Sequence, residues 1–357
     1  MLKRFFITFG LVALLYGGFA AFNFSLVYLA GETRPYTEIA RAQQTNPDTL
    51  YGPLFNNDHE AYKYALMEER PHEVVVAGSS RALQFRQPFF SKPMVNCGRI
   101  MSSVQTALDF FEYMEKEPPR TILVTFDFWW FRDPLNKRTG GHKSSLSTGT
   151  ERSLDMFFLP SLYVAEGKIS IGRVLQGSPL LNGQSRRIGL RSVNEDAGFE
   201  ADGSHHEPQG SQRTHADMVA NVKTRIGRTE FRYNDRLQTA AVDALFAEVA
   251  KLESLGHKVI VLFPPLSPAF EEELENNPGY AYVAKTLQYA ERYGAVDMQD
   301  PARLGLTTDY FMDSLHPSPR GDAKVLLELV RLHPELGSVL DLDAIKRFLA
   351  SGRERPE

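Results

Sequence analysis

The stretch that decides the fold is Glu73–Phe85, EVVVAGSSRALQF, in which an apolar run stops at a glycine and two serines. A short apolar run that ends in glycine is typical of a strand buried on both faces. Two interpretations of Gly78-Ser79-Ser80 then remain. Glycine and serine favour ordinary turns and helix caps, whereas a serine at the end of a buried strand also suits a nucleophile.

Similar apolar runs recur along the chain, with helical patterns between them. We predict strands at 73–77, 93–96, 121–126, 258–263 and 295–298. Helices are predicted at 58–70, 102–117, 237–255, about 268–293 and 319–333, the last closing the fold. This alternation predicts an α/β fold, a three-layer sandwich with a parallel sheet of about five strands. Active sites of such sheets lie beyond the carboxyl ends of the strands, where Ser80 would be.

A second motif lies in the last loop before the closing helix. The segment 309–323, DYFMDSLHPSPRGDA, contains Asp313 and His316, and its two prolines argue against a helix there. A serine hydroxyl needs a base to take its proton, and an imidazole needs a carboxylate to fix its tautomer. Ser80, His316 and Asp313 supply these groups in the order Ser, Asp, His. The alternative is a capping aspartate and a surface histidine, but both motifs are expected at the same edge of the sheet.

These motifs resemble the conserved blocks of the SGNH (GDSL-like) hydrolase superfamily, which has a flavodoxin-like sheet. Gly78-Ser79-Ser80 is similar to the Gly-Asp-Ser block, and the resemblance implies that Ser80 is the nucleophile. Asp313 to His316 matches the last block, D-x-x-H. Asn96-Cys97-Gly98 resembles the second block and implies that Gly98 is an oxyanion donor. The third block should supply an asparagine, but this chain has Asp127, which cannot donate while ionised.

Within this superfamily, the chain looks like anchored proteins of bacterial envelope O-acylation, such as the alginate O-acetyltransferase and D-alanyl-lipoteichoic acid transfer types. The resemblance implies transfer of an acyl group, expected to be acetyl, to an envelope or exported polysaccharide, with a polytopic membrane-bound O-acyltransferase as partner. An esterase that releases the acyl group to water is the first alternative. A non-catalytic glycan-binding or scaffold protein is the second. No metal and no cofactor are expected.

The N-terminus predicts a membrane anchor. Lys3 and Arg4 belong to a short cytoplasmic tip, residues 1–4, and precede an uncharged run from Phe5 to Ala30. At about 1.5 Å per residue this run exceeds the roughly 30 Å of a bilayer core. A secretory signal is the rival interpretation, but its apolar region is shorter. The basic pair then places the N-terminus in the cytoplasm and the body on the periplasmic or extracellular side of the inner (cytoplasmic) membrane.

The rest of the chain is predicted as a polar stalk at 31–56 and one SGNH-like domain at 57–350, with a loop-rich insertion at about 136–235. Arg81, Asp127 and Trp129 are candidate substrate-binding residues, although Arg81 could equally form a salt bridge and Trp129 could belong to the core. The histidines of the insertion fit no zinc pattern. A net charge of -4 argues against a nucleic-acid partner. The single cysteine, Cys97, excludes an internal disulfide.

Overall fold

The computed structural model describes residues 2–56, 58–133, 154–208, 213–234, 236–354 and 356. The helices are α1 (Leu2–Leu29), α2 (Tyr36–Thr45), α3 (His59–Glu69), α4 (Val104–Met114), α5 (Pro160–Ala165), α6 (Ile171–Gly177), α7 (Leu190–Glu195), α8 (His215–Arg225), α9 (Thr239–Ser254), α10 (Pro268–Asn276), α11 (Ala281–Glu291), α12 (Pro319–Leu332) and α13 (Leu342–Ser351). The strands are β1 (Leu50–Tyr51), β2 (Val74–Gly78), β3 (Met94–Gly98), β4 (Thr121–Thr125), β5 (Arg187–Ile188), β6 (Gly198–Phe199), β7 (His205–His206), β8 (Lys258–Phe263) and β9 (Val296–Asp297). The chain forms two compact units. Among the described residues, unit 1 contains 2–56, 58–69, 154–201 and 205–208, and unit 2 contains 70–133, 202–204, 213–234, 236–354 and 356.

Unit 2 is built on a five-stranded sheet in the order β3-β2-β4-β8-β9, and every neighbouring pair is parallel. All five residues of β2 are buried, which explains why its sequence is apolar without alternation. One core cluster joins Val76 and Leu123 of the sheet to Leu326 of α12 and Ile345 of α13. Full burial of each such side chain contributes about 1.5–3 kcal/mol. The prediction of an α/β fold with a parallel five-stranded sheet is therefore confirmed.

Two helix predictions in unit 2 were wrong in detail. The segment 268–293 is not one helix, because a short 3₁₀ turn at Pro278–Tyr280 separates α10 from α11. Pro278 has no N–H to continue the helix, and the Asn277 side chain accepts from the Gly279 N–H at 3.0 Å. The helix at 319–332 is also not the last, because α13 follows and buries Ile345 and Phe348 in the core.

Unit 1 contains a small sheet in the order β5-β1-β6-β7. Residues 31–56, predicted as a polar stalk, instead fold as α2 and β1. Ile39 and Tyr51 are fully buried, and the buried Gln43 side chain donates to the carbonyl of Thr49 at 3.2 Å and to that of Phe199 at 2.9 Å.

The first helix, α1, has a mean hydropathy of 2.0 over its most apolar window and is apolar enough to span a membrane.

The predicted insertion at 136–235 also has more regular structure than expected. Within it, residues 154–208 form α5, α6 and α7 with β5, β6 and β7, and α8 follows in unit 2. Residues 134–153, 209–212 and 235 lie outside the described residues. The single domain predicted at 57–350 differs from the structure as well, because α3 packs in unit 1.

Candidate active site

The first element of the site is the turn that follows β2. Gly78 ends the strand with φ = +156°, and a β-carbon there would lie 1.9 Å from Oγ1 of Thr125. Only glycine fits both the angle and the space. Ser79 then caps a 3₁₀ turn, Ser80–Ala82, by accepting from the Arg81 N–H at 3.2 Å. The cap places Ser80 directly beyond the carboxyl end of β2.

The second element is the loop before α12. Its backbone closes on itself, because the Met312 N–H donates to the carbonyl of His316 at 2.9 Å. Ser267, which follows β8, donates to the carbonyl of Ser314 at 2.8 Å. Ser314 in turn donates to Oδ1 of Asn221 in α8 at 2.7 Å. The loop is therefore held both by the segment that follows β8 and by α8. Helix α8 belongs to the region predicted as an insertion, so part of that region supports the site.

The two elements bring the three predicted residues together. Oγ of Ser80 lies 2.8 Å from Nε2 of His316. Nδ1 of the same ring lies 2.9 Å from Oδ1 and 2.8 Å from Oδ2 of Asp313. This is the connectivity of nucleophile, base and orienting carboxylate. A role of Ser80, Asp313 and His316 in catalysis stays a prediction, but their juxtaposition across 236 residues of sequence is a property of the structure.

Several hydrogen-bond donors stabilise the ionised form of the Asp313 carboxyl. Burial by itself would raise the pKa of this carboxyl, but the hydrogen bond and charge of His316 act against it. The backbone N–H groups of Leu315 and His316 also donate to Oδ1, at 2.8 and 3.0 Å. Together they hold the pKa of Asp313 well below its usual range, so the carboxylate is ionised when it orients the ring. The side chains of His316 and Asp313 remain 31% and 37% exposed, which leaves the site open to a substrate.

Arg81 and Asp127 do not line the site, contrary to the expectation that they bind substrate. Both side chains are 0% exposed, and Nη1 of Arg81 lies 3.0 Å from Oδ1 of Asp127. Nη2 of Arg81 also donates to the carbonyls of Pro264 and Pro265, at 2.6 and 2.7 Å. Burial raises the pKa of Asp127, and the charge of Arg81 lowers it. The guanidinium stays protonated in this geometry and ties together the segments that follow β2, β4 and β8.

The sequence analysis allowed a salt bridge for Arg81, with a surface carboxylate as its partner, but did not pair it with Asp127, although a signal for that pairing existed. Arg81 and Asp127 are opposite charges that follow two strands predicted to be parallel. Parallel neighbours place such residues at the same edge of a sheet, and β2 and β4 pair in register from Val74 with Thr121 onward. A buried ion pair was therefore a better prediction than two ligand-binding groups.

The Gly98 N–H is not available as an oxyanion donor in this structure. It donates to Oδ1 of Asn96 at 2.8 Å. The Asn96 side chain is fully buried and also donates to the carbonyls of Ala82 and Phe85, at 2.7 and 2.8 Å. Asn96 therefore clamps the turn after β2 onto β3. Over the described part of the chain the Ser80 N–H, the first of its 3₁₀ turn, donates no hydrogen bond, so it is the better candidate donor.

Trp129 is half-buried at the rim of a second core cluster. Its ring packs edge-on against Phe128 and Phe231, with centroids 5.0 and 5.1 Å away. It also covers the guanidinium carbon of Arg81 at 5.6 Å. Trp130 is buried in the core. Trp129 thus seals the ion pair from solvent, and the exposed part of its ring remains a candidate for substrate contact.

The sequence was also compared with known proteins. No protein-family model and no curated protein matches the chain.

Proposed function

We propose that this protein is a membrane-anchored serine acyltransferase of the SGNH type. The observation that carries the proposal is the hydrogen-bonded chain from Oγ of Ser80 through the ring of His316 to Asp313. Two further features support the fold family. When the five strands of this sheet are numbered from one to five in chain order, their spatial order β3-β2-β4-β8-β9 becomes 2-1-3-4-5. This is the order of flavodoxin-like doubly wound sheets, in which helices cover both faces. The turn after β2 and the loop before α12 also carry the residues that resemble the first and last SGNH blocks, and both lie next to the sheet.

The chemistry follows from the three side chains. Oγ of Ser80 attacks the carbonyl carbon of an acyl donor while Nε2 of His316 takes the hydroxyl proton. The oxyanion of the tetrahedral intermediate accepts from the Ser80 N–H. The intermediate then collapses, the donor's leaving group departs with the proton from His316, and acyl-Ser80 remains. An acceptor hydroxyl next loses its proton to His316 and attacks the acyl carbon. Collapse of the second intermediate returns that proton to Ser80 and releases the new ester.

The acceptor and the setting come from the resemblance and from α1. A helix apolar enough to span a membrane, preceded by Lys3 and Arg4, supports an uncleaved anchor with the body in the periplasm or outside the cell. The acceptor is then a hydroxyl of an envelope or exported polysaccharide, and the acyl group is acetyl. The acyl donor comes through a polytopic membrane-bound O-acyltransferase in the inner membrane.

The test uses the full-length chain in lipid nanodiscs, an activated acetyl ester and an acceptor oligosaccharide. Acetylated oligosaccharide that depends on Ser80 supports transfer, whereas free acetate alone makes the protein an esterase. Ser80→Ala should abolish both products and the covalent labelling by a fluorophosphonate. Ser91→Ala, which changes an exposed serine, is the matched control and should keep wild-type activity. Equal activity of the Ser80→Ala variant would refute the role of Ser80. No product and no labelling in the wild type would leave only a binding or scaffold function.

A further inference from the structure

The first helix consists of two parts with different surroundings. From Leu2 to Phe22 its side chains are exposed or partly exposed, and from Asn23 onward it packs into unit 1. Without the charged tip at residues 1–4, the exposed part runs from Phe5 to Phe22 and has 18 residues, which at about 1.5 Å per residue span about 27 Å. This length is close to the roughly 30 Å of a bilayer's hydrocarbon core. The packed part of α1 therefore begins where the helix leaves the hydrocarbon.

Residues 154–177 are attached to α1 at this level. Oδ1 of Asn23 accepts from the N–H of Ser161 in α5 at 2.6 Å. The rings of Phe24 and Phe157 stack with centroids 5.4 Å apart. Leu26 and Val27 share a core cluster with residues of α6 and of the turns that flank α5. These contacts are hydrogen-bonded and aromatic, so they fix the segment beside the end of the membrane-length part of α1.

The same segment carries a concentration of exposed apolar side chains. In the described part of the chain outside α1, seven of the eleven exposed large apolar residues lie between 154 and 181. We name these seven residues the apolar collar: Leu154, Phe158, Leu162, Ile171, Leu175, Leu180 and Leu181. Isolated exposed leucines are normal on a soluble surface, but a cluster of this kind marks an interaction site.

The collar extends over several consecutive short elements beside α1. Ile171 and Leu175 are four residues apart in α6, which places them on the same face of that helix. Leu162 is the exposed large apolar residue of α5, and Leu154 and Phe158 lie in and directly after the 3₁₀ turn Leu154–Phe157 that precedes it.

From this placement we propose that the apolar collar is seated in the lipid interface. A bilayer that accommodates the exposed part of α1 must end near Asn23, and the collar is fixed at that level. Amphipathic segments lie in the interface with their apolar side about 5–10 Å into the boundary between headgroups and acyl chains. Unit 1 is then held on the membrane by α1 and the collar together. The inference rests on α1 spanning a bilayer and is independent of the serine chemistry.

The experiment measures lipid contact of the collar in the full-length chain. Spin labels are placed at Phe158→Cys, Leu162→Cys and Leu175→Cys in phosphatidylglycerol-containing nanodiscs. Leu255→Cys, at an equally exposed leucine outside the collar, is the matched control. The native Cys97 is buried, and the unsubstituted chain measures any labelling of it.

We expect relaxation of the collar labels by oxygen to exceed relaxation by a water-soluble nickel complex, with the reverse for Leu255→Cys. Collar labels that nickel relaxes more strongly than oxygen would overturn the proposal. Labels that are immobilised and inaccessible to both would also overturn it, because they would indicate a protein contact instead of lipid. Labelling of Ser80 by a fluorophosphonate, measured on the same samples, tests the proposed function separately.

Discussion

Replacing Arg81 with alanine should destabilise unit 2 and disable Ser80 without touching a catalytic group. The substitution leaves the Asp127 carboxylate and the carbonyls of Pro264 and Pro265 buried without their donor. Breaking a buried ion pair in this way costs about 3–5 kcal/mol. For a domain of this size, at about 2–4 °C per kcal/mol, the unfolding midpoint should fall by about 6–20 °C.

The two tryptophans provide the assay. Trp129 and Trp130 are the only tryptophans in the sequence, and both lie within three residues of Asp127 in unit 2. Their fluorescence during thermal unfolding of the full-length chain therefore reports on this region. The rate at which a fluorophosphonate labels Ser80, measured well below the unfolding midpoint, reports on the position of the nucleophile. The unfolding midpoint and the labelling rate of Ser80 should both fall in the Arg81→Ala variant.

Two further variants separate an effect on the position of Ser80 from an effect on the stability of the fold. Arg331→Ala removes an exposed arginine that also forms an ion pair, so its midpoint should stay close to that of the wild type. Arg81→Lys keeps the charge but lacks the planar guanidinium that bonds Asp127 and two carbonyls at once. It should therefore restore only part of the labelling rate. An Arg81→Ala midpoint no lower than that of Arg331→Ala, with an unchanged labelling rate, would refute the reasoning.

Three other predictions concern Asp313 and Gly78. Asp313→Asn should leave the fold intact and lower the acyl-transfer rate constant by about 10⁴-fold, because the ring of His316 loses its orienting charge; activity close to wild type would show that Asp313 only caps the loop. Because the pKa of Asp313 is depressed in the folded protein, its ionised form stabilises the fold above the ordinary aspartate pKa of about 3.9. This contribution is lost as the pH falls further, so the difference in unfolding midpoint between wild type and Asp313→Asn should shrink below about pH 4; a difference that grows on acidification would contradict the assignment. Gly78→Ala should abolish fluorophosphonate labelling, because the new carbon overlaps Thr125, whereas Gly183→Ala, with no atom within 4 Å of the added carbon, should label at the wild-type rate.

The sheet and the meeting of Ser80 with His316 were predictable because each depends on a strong local signal. A fully buried strand has an unmistakable apolar run, and parallel pairing places the ends of such strands at one edge. Unit 1 was not predictable in the same way. Its strands have two residues each, too few to show any period, and α5 and α7 have six. The fold of 31–56 depends on distant partners, such as the Phe199 carbonyl that accepts from Gln43.

The departure of this chain from the SGNH pattern at Asp127 has a physical consequence for the site. An asparagine in this position is expected to donate to the oxyanion, but Asp127 is buried and accepts from Arg81. The Gly98 N–H is likewise engaged by Asn96. Asp127 and the Gly98 N–H therefore do not donate to an oxyanion. Their hydrogen-bond partners, Arg81 and Asn96, hold the turn that carries Ser80. If the proposed function is correct, stabilisation of the oxyanion falls to the Ser80 N–H, and an acyl donor with a good leaving group suits such a site better than an unactivated ester.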